Sequence, residues 1–442
     1  HALFLQKPKY AASGPLGLIA CGGLSDPPHA TQESPDNSGL LDLTRLPQLL
    51  ALHSLPAKDL NTISRFLHSE TLRDPPRVAQ ALQAALTARE GPATPVLNRL
   101  AIQALEAEWR STTDNTARGR ALRRRLPAMR EKWGEIPAVL LYEGALALRA
   151  GERAAGFDLQ RRAAEAAGPT LLPRMYVGAH SLRTGSTDDW SGAAAGQPAR
   201  PFDPAAAGVE WHRRPKERGR IALVSGGDGR YFQAYARALY DSFRARDTVS
   251  NIHFHVVNFT PSCEGVLAGL SDPRLSVSAE TYPLTADASY FALVRFFRLP
   301  EFMAELDLPL CITDFDNIAT ASLDDAAAGL AGLDACLNSH TNQTWFPWWG
   351  PSAANSYITL TEGGHQMAAW IQADAAARFQ PGNIFRNWWF DQLMLNEAEH
   401  LARSRGLQIG NVRDTERYAT DRRSPGDMNP IRAMLAAGAF DG

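Results

Sequence analysis

The spacing of apolar residues changes along the chain, and this change limits the possible fold more than any other feature. Before residue 183, apolar side chains recur every three to four positions, the period of a helix with one buried face. After residue 218, short apolar runs alternate with amphipathic stretches, which is typical of strands that alternate with helices. Residues 184–218 are rich in Gly, Ala, Ser and Pro and predict a linker. We therefore predict two domains of different class.

The first part of the chain predicts an irregular segment at 1–40 and an all-helical domain at 41–183. Within it, two helical stretches separated by a short turn at 150–152 predict a helical hairpin. The hairpin weakly resembles a tetratricopeptide repeat unit, because Gly144 and Ala163 stand where that repeat keeps small residues. The resemblance implies an array of helical hairpins with an extended binding surface.

The second part predicts an α/β domain at 219–430 and a short tail at 431–442. Strands are expected at 221–224, 252–259 and 309–313, with a helix at 231–245. Parallel strands need crossover connections that are usually helical, so this alternation predicts a mostly parallel sheet with helices on its faces. Ligands of such sheets bind beyond the carboxyl ends of the strands.

Charge and cysteine content exclude several classes of function. The 442 residues include 45 Lys and Arg and 47 Asp and Glu, so the formal charge is −2. This balance removes the electrostatic case for nucleic acid as a partner. No apolar run approaches the roughly 20 residues of a transmembrane helix. The four cysteines form no CxxC pair, which disfavours a zinc or redox site and suits a cytoplasmic location.

Two acidic residues, Asp314 and Asp316, directly follow the predicted buried strand at 309–313. At an extended i, i+2 spacing both side chains point the same way, and two like charges repel unless a cation or separate partners neutralise them. Carboxylate and diphosphate oxygens are ligands that Mg²⁺ and Mn²⁺ prefer. The pair therefore predicts a divalent-metal site. The alternative is an exposed loop whose acids cap the next helix.

A glycine-rich turn joins the first predicted strand of this domain to its first helix. Gly226, Gly227 and Gly229 would let a ligand approach the backbone, and the helix N-terminus that follows favours an anion. The turn lacks the G-x-G-x-x-G spacing of a dinucleotide site and the Lys-Ser/Thr of a P-loop. The sequence is compatible both with a ligand-binding turn and with a tight turn that binds no ligand.

Five short motifs follow one another along the α/β domain. In chain order they contain Gly226, Asp228 and Tyr231, then Arg295, then Asp314 and Asp316, then Asn355, and finally Asp391 and Gln392. This ordered set resembles the GT-A fold glycosyltransferases, in particular the family of glycogenin and bacterial lipooligosaccharide galactosyltransferases. The resemblance covers about half of the chain and implies a Rossmann-like, mostly parallel sheet.

The resemblance also implies a role for each motif. A nucleotide-sugar donor, with a UDP-sugar favoured, would be held by Gly226, Asp228, Tyr231, Arg295, Asn355 and Asp314. A metal ion, Mn²⁺ or Mg²⁺, would be held by Asp314 and Asp316. Catalysis would depend on Asp391, Gln392 and Arg295.

The chain departs from that family at three places. Phe315 stands in the middle of the DxD motif, where the family has a small residue, and Ser356 and Tyr357 replace a small residue and a glycine. No C-terminal His-x-x-Gly-x-x-Lys motif completes the metal and phosphate shell; His400 or a residue at 411–414 is the available substitute.

Two other functions remain as alternatives. A helical-repeat binding protein could carry a degenerate, non-catalytic nucleotide-sugar module, but the intact acidic pair favours an enzyme. A nucleotidyltransferase would need a phosphate-binding cation near the first strand, for which Arg230 is the candidate. The helical domain suggests a protein or peptide acceptor, although a glycan acceptor or a homodimer through this domain is also compatible with the sequence.

Two further segments have open interpretations. Residues 345–349 and 388–390 hold five of the ten tryptophans, which suits either an acceptor site where sugar rings stack or core packing. The basic run at 118–130 predicts either a solvated helix face or a docking patch for an acidic partner or phosphate group.

Overall fold

The computed structural model describes residues 57–182, 208–284, 287–340, 344–383, 387, 389–415 and 420–421, together with Leu43 and Leu46. The chain divides into two compact units near residue 185. We call their described parts the helical unit (43–182) and the α/β unit (208–421). The predicted segments 1–40 and 431–442 and most of the predicted linker lie outside the described residues.

Six α-helices and one 3-10 helix build the described part of the helical unit. Prolines at 75, 95 and 137 occupy first-turn positions, where a missing N–H costs nothing, and the Thr94 hydroxyl accepts a hydrogen bond from the Leu97 N–H. The elements are α1 (Ala57–Arg73), α2 (Pro75–Ala88), α3 (Pro95–Arg110), α4 (Asn115–Trp133), α5 (Pro137–Arg149), α6 (Arg153–Leu171) and the 3-10 helix (Arg174–Ser181).

Helices α5 and α6 form the predicted hairpin. A Cβ added to Gly144 of α5 would lie 2.6 Å from Cγ of Gln160 in α6, so only a glycine permits this close approach. Gly168, with a positive φ of 64°, interrupts the second helix, and a further short helical stretch runs to Leu171. The tetratricopeptide-like character stays a prediction.

The basic run at 118–130 lies in α4, and several of its charges have partners. The Arg118 guanidinium is buried against the Trp109 ring, 3.8 Å from its centroid, and donates to the Trp109 carbonyl. The acidic partners of the run include Glu108 for Arg125 and Glu143 for Arg130. These contacts favour a structural role over a docking patch.

An eight-stranded sheet is the centre of the α/β unit. Its strands are β1 (Glu210–Arg213), β2 (Ala222–Asp228), β3 (Asn251–Val257), β4 (Leu275–Glu280), β5 (Leu310–Thr313), β7 (Ala335–Asn338), β8 (Ser352–Ile358) and β9 (Ile409–Asn411); β6 (Ile318–Ala319) pairs separately with β10 (Thr420–Asp421). The order is β1-β4-β3-β2-β5-β8-β7-β9. Strands β4, β3, β2 and β5 are parallel, β8 is antiparallel to both neighbours, and β9 is parallel to β7.

Helices cover both faces of this sheet. They are α7 (Gly229–Arg244), α8 (Pro261–Ala268), α9 (Ala288–Phe297), α10 (Leu299–Leu306), α11 (Leu323–Ala327), α12 (Glu362–Arg378), α13 (Phe390–Ser404) and α14 (Val412–Thr415). Alternate residues of a strand point to opposite faces of the sheet and belong to two hydrophobic cores. Val224 packs with α9, α10, α12 and α13, whereas Leu223 packs with α7, α8 and α11.

The predicted fold class is confirmed for both parts of the chain. The α/β unit is a mostly parallel sheet between two helical layers, and the first unit is helical. Strand β1 lies inside the segment predicted as a linker, yet it pairs with β4 at the sheet edge. Its four residues have no apolar alternation, which is why the sequence pattern did not reveal it. Within the described residues, no helix has the length and apolar character to cross a membrane.

Candidate active site

Six strands of the α/β unit end at the same edge of the sheet. Strands β2, β3, β4 and β5 are mutually parallel, and β7 and β9 share their direction because β8 runs opposite to both β5 and β7. At or just beyond these carboxyl ends lie Asp228, Asn258, Asp314, Asn338 and Asn411. Ligands of open α/β sheets bind at this edge, so it is the place to search for a site.

The glycines predicted to form a turn lie instead in the last part of β2 (Gly226 and Gly227) and at the first position of α7 (Gly229), where they allow close packing between elements. A Cβ added to Gly226 would lie 3.0 Å from Cγ1 of Val294 and 3.2 Å from Cβ of Arg295, so Gly226 lets α9 approach β2. A Cβ added to Gly227 would lie 3.0 Å from the Phe315 ring. The two glycines thus allow Arg295 and the DxD turn to sit against the end of β2.

Tyr231, in the first turn of α7, connects the end of β2 with the acidic pair. The Asp228 carboxylate caps α7 by accepting a hydrogen bond of 2.8 Å from the Tyr231 N–H, and burial raises the pKa of Asp228 against that hydrogen bond. The Tyr231 hydroxyl donates to Oδ2 of Asp316 at 3.2 Å. Asp228, Tyr231 and Asp316 are therefore neighbours although 88 positions separate the first from the last.

One buried arginine holds carboxylates from two distant elements. Nη2 of Arg295 in α9 lies 2.7 Å from Oδ1 of Asp314, which follows β5, and 3.9 Å from Oδ2 of Asp391, in the first turn of α13. The Arg295 side chain is 2% exposed and that of Asp314 is 17% exposed. The Asp314 carboxylate therefore remains partly exposed to solvent, whereas the guanidinium of Arg295 is buried.

The DxD residues lie in a turn rather than in an extended strand, which corrects the expected geometry. Strand β5 ends at Thr313, and the Asn317 N–H closes the turn on the Asp314 carbonyl at 3.3 Å. Phe315 packs into the core beneath, with its ring centroid 5.4 Å from that of Phe254. A large apolar residue in the middle of the motif therefore anchors the turn, which accounts for one departure from the family pattern.

Asn355 and Gln392 lie close to the acidic residues. Asn355 directly precedes Ser356, which pairs with Ile312 of β5, so it stands beside the end of that strand. Its positive φ of 58° is a conformation that asparagine adopts more readily than most residues. Gln392 follows Asp391 and is buried, and its Oε1 has no hydrogen-bond partner among the residues that the structure describes.

The side chains of this cluster fit a divalent cation. Asp314, Asp316 and Asp391 bring three carboxylates and Arg295 brings one guanidinium, which leaves two negative charges. Hard oxygen ligands suit Mg²⁺ or Mn²⁺, which commonly bind through one or two carboxylates and complete their shell with water and substrate phosphate. No group of three or more His, Cys, Asp or Glu side chains forms a complete metal cage within the described part of the chain. Asp314 and Asp316 would therefore be its two protein ligands.

Sequence reasoning missed the polar network that holds α9 in place. Glu280, at the end of β4, accepts hydrogen bonds from the Tyr290 hydroxyl and from Nε of Arg298, both on or beside α9, and its Oε2 lies 3.3 Å from Nε2 of His255. Burial alone would raise the pKa of Glu280, but these partners lower it. Because Tyr290 and Arg298 flank Arg295, this network fixes the position of that arginine. The alternating polar residues of β4 and β3 were the available signal.

Two of the four described tryptophans near the motifs are core residues. Trp345 and Trp348 are fully buried, which supports the packing interpretation of that segment. Trp349 and Trp389 are partly exposed, and Trp389 has a positive φ of 67° immediately before α13. Trp388 lies outside the described residues.

Comparison with solved structures finds three glycosyltransferases similar to this chain. They are galactosyltransferase LgtC in complex with donor and acceptor sugar analogues (17% identity, TM-score 0.29), the apo form of the bifunctional glycosyltransferase WbbM (11%, 0.26) and the apo form of mouse xyloside xylosyltransferase 1 (11%, 0.28). The alignments cover 40%, 45% and 44% of this chain and 69%, 46% and 85% of the three structures. No protein-family model and no curated protein matches the chain. At these TM-scores we derive the function from the site alone.

Proposed function

We propose that the α/β unit is a metal-dependent glycosyltransferase that moves a sugar from a nucleotide-diphosphate donor, a UDP-sugar in the favoured case, to an acceptor. One observation carries this proposal: Arg295 contacts both Asp314 and Asp391 at the edge where the parallel strands end. The carboxylates of Asp314 and Asp316 at this edge would hold a divalent ion together with the diphosphate of the donor.

The metal held by Asp314 and Asp316 would supply Lewis-acid stabilisation of the departing diphosphate. The enclosed Arg295 would add positive charge beside the same group, in surroundings of low dielectric constant where its effect is large. Tyr231 would orient Asp316 through its hydroxyl, and Asp228 would accept from the ribose in its partly buried position.

The donor sugar would lie between α13 and the end of β5. The free carbonyl oxygen of Gln392 is a buried acceptor that a sugar hydroxyl would satisfy. Asp391 would either bind the donor hydroxyls or accept a proton from the attacking acceptor hydroxyl. Asn355, beside the end of β5, would contact the same sugar.

The acceptor is the least defined part of the proposal. The helical unit suggests a protein or peptide acceptor, because packed helical hairpins offer broad surfaces, although a glycan acceptor fits as well. A homodimer through the helical unit and a cytoplasmic location stay predictions. The alternative function is a non-catalytic binding protein whose α/β unit only holds a nucleotide sugar.

A donor panel tests this proposal. The full-length protein is incubated with UDP- and GDP-sugars, with Mn²⁺ or with EDTA, and release of the nucleoside diphosphate is followed. We expect slow Mn²⁺-dependent release from one UDP-sugar and thermal stabilisation by UDP with Mn²⁺. Stabilisation without release or transfer would favour the binding-protein alternative. Neither release nor stabilisation by any nucleotide would reject both functions.

A further inference from the structure

A second group of polar residues lies at the same sheet edge, at the ends of β7 and β9. Strand β8 separates β7 from β5, and β9 is the next strand beyond β7. Neighbouring strands are about 4.8 Å apart, so the end of β9 lies about 14 Å from the end of β5. That distance is too large for a single phosphate group to contact Asp314 and the end of β9 together.

Hydrogen bonds hold the two strand ends in one arrangement. Oδ1 of Asn411, the last residue of β9, accepts from the N–H groups of Ser339 and Arg413 at 3.3 and 3.1 Å, and its Nδ2 donates to the Ser339 carbonyl at 3.3 Å. The Ser339 hydroxyl donates to Oε2 of Glu399 in α13 at 2.9 Å. The residues on either side, Asn338, His340 and Arg413, are thereby presented from a rigid base.

The guanidinium of Arg413 is oriented by a neutral histidine. Its Nη2 donates to Nε2 of His340 at 2.7 Å, so that nitrogen must be unprotonated. Burial and the charge of Arg413 lower the pKa of His340, which keeps the imidazole neutral at pH 7. Among the side chains that the structure describes, no carboxylate pairs with Arg413, whereas Arg403 nearby pairs with Glu399 at 2.9 Å. Within the described residues, the guanidinium of Arg413 is thus oriented by His340 and has no carboxylate partner.

Asn338, at the end of the neighbouring strand β7, adds an unsatisfied acceptor. Its Nδ2 donates to the Ala354 carbonyl at 3.3 Å, but its Oδ1 is buried and has no hydrogen-bond partner in the described part of the chain. The residue is 6% exposed. A buried carbonyl oxygen without a donor is unusual in a folded protein and points to a missing partner. A hydroxyl group of a ligand would supply the donor.

We infer that Asn338 and Arg413 form a distal acceptor subsite for a carbohydrate that carries a carboxylate or a phosphate. The inference rests on the proposed function, because it assigns this end of the edge to the acceptor of the transfer. Asn338 accepts from a hydroxyl of the acceptor, and Arg413 donates to its anionic group through the guanidinium N–H groups that His340 leaves open. Charge-assisted hydrogen bonds from an oriented arginine are strong and selective for carboxylate and phosphate.

Equilibrium binding to the full-length protein tests the subsite. Methyl β-D-glucuronoside, methyl β-D-glucoside and glucose 6-phosphate serve as probes, measured by calorimetry with and without UDP and Mn²⁺. We expect the two anionic probes to bind at least tenfold more tightly than the neutral glucoside. The Arg413→Gln variant should lose this preference, and Asn338→Ala should weaken the binding of all three probes.

The matched control is Arg405→Gln, an exposed arginine just beyond the far end of α13, about 20 Å from Asp391 along that helix. It should leave all affinities unchanged. The subsite is rejected if the wild-type protein does not distinguish charged from neutral probes, or if Arg413→Gln keeps the preference. Weaker binding of UDP–Mn²⁺ in Arg413→Gln would instead assign the arginine to the donor diphosphate and also reject the acceptor subsite. Absence of UDP binding in the wild-type protein, with the preference retained, would count against the proposed function alone.

Discussion

Each unit of this protein buries a cluster of ionised side chains, but the two clusters differ in access and in charge balance. In the helical unit, Glu106 is fully enclosed and contacts Nδ1 of His68 at 3.1 Å and Nε of Arg110 at 2.8 Å. In the α/β unit, Arg295 is the enclosed group, and the carboxylate of Asp314 remains 17% exposed at the sheet edge. The same residue types thus occur once inside a helix bundle and once at a ligand-binding edge.

The difference shows why buried charge alone does not identify a site. Burial would raise the pKa of Glu106, but hydrogen bonds and charges from His68 and Arg110 lower it, so the cluster supplies its own compensation. The edge cluster differs in that the carboxylate of Asp314 stays partly exposed to solvent beside the enclosed Arg295. An ion pair at an accessible strand end is therefore the more informative sign of a ligand.

The largest effect that we predict is the loss of stability when Glu106 is removed. Glu106→Ala leaves Arg110 without its partner, and breaking one side of a buried ion pair costs about 3–5 kcal/mol. Calorimetry should show a lower melting temperature for the helical unit, with normal donor release. The control is Glu108→Ala. Glu108 lies on the same helix as Glu106 but forms a partly exposed ion pair with Arg125 of α4, so its removal should cost less than about 1 kcal/mol. Equal losses in both variants would show that the Glu106 cluster has no special structural role.

The next largest predicted effect is a loss of activity rather than of stability, and it arises in the α/β unit rather than in the helical unit. Asp314→Ala and Asp316→Ala should each reduce Mn²⁺-dependent donor release at least 100-fold, about 2.7 kcal/mol of transition-state stabilisation, because each removes a proposed metal ligand. The melting temperature should fall less for Asp314→Ala than for Glu106→Ala, because Asp391 still lies 3.9 Å from Arg295 and the Asp314 side chain is 17% exposed. Normal activity with unchanged Mn²⁺ dependence in both variants would exclude the metal site.

Asp391 should have a smaller effect on activity. Asp391→Asn keeps the shape of the side chain but removes the charge that lies 3.9 Å from Arg295, so turnover should fall about tenfold, or about 1.4 kcal/mol, with little change in melting temperature. A steady-state measurement of kcat and KM for the donor checks this. A lower melting temperature with normal turnover would make Asp391 a helix-terminus residue that serves only stability.

The smallest effect is a difference in pH dependence between two helix caps. Burial raises the pKa of Asp228 in the α/β unit, so its contribution to stability is complete below the unfolded pKa of about 3.8 and is lost as pH rises through the folded value. Asp228→Asn keeps a capping side chain. The melting temperature of this variant minus that of the wild type should therefore increase between pH 4 and pH 7.

Asp114, the exposed cap of α4 in the helical unit, should behave in the opposite way. Backbone hydrogen bonds from Thr116 and Ala117 lower its pKa, so its contribution to stability is present above the unfolded pKa and is lost as pH falls. Asp114→Asn should therefore lose stability relative to the wild type as pH rises from about 2 to about 5, the range around and below the unfolded pKa. Parallel pH profiles for the two variants would contradict the assignment of opposite environments.

Local pattern predicted much of the fold. The hairpin of α5 and α6 and the strands β2, β3 and β5 follow from apolar periodicity and from turn residues, which act within a few positions of the chain. Strand β1 was not predicted, because an edge strand of polar residues is held only by its pairing with β4. The extended geometry expected for Asp314 and Asp316 was wrong, because the preference of Phe315 for the core bends the chain into a turn there.

The sequence by itself indicated the charged residues of the candidate site: the acidic pair after β5, the arginine at 295 and the aspartate at 391. Tertiary structure alone decided that Arg295 meets both Asp314 and Asp391, that Trp345 and Trp348 belong to the core, and that Arg413 faces His340. The physical reason is the separation along the chain over which each kind of interaction acts. Helix and strand preferences are set by neighbours along the chain, whereas these contacts join residues more than 15 positions apart and exist only after the sheet has brought its strand ends together.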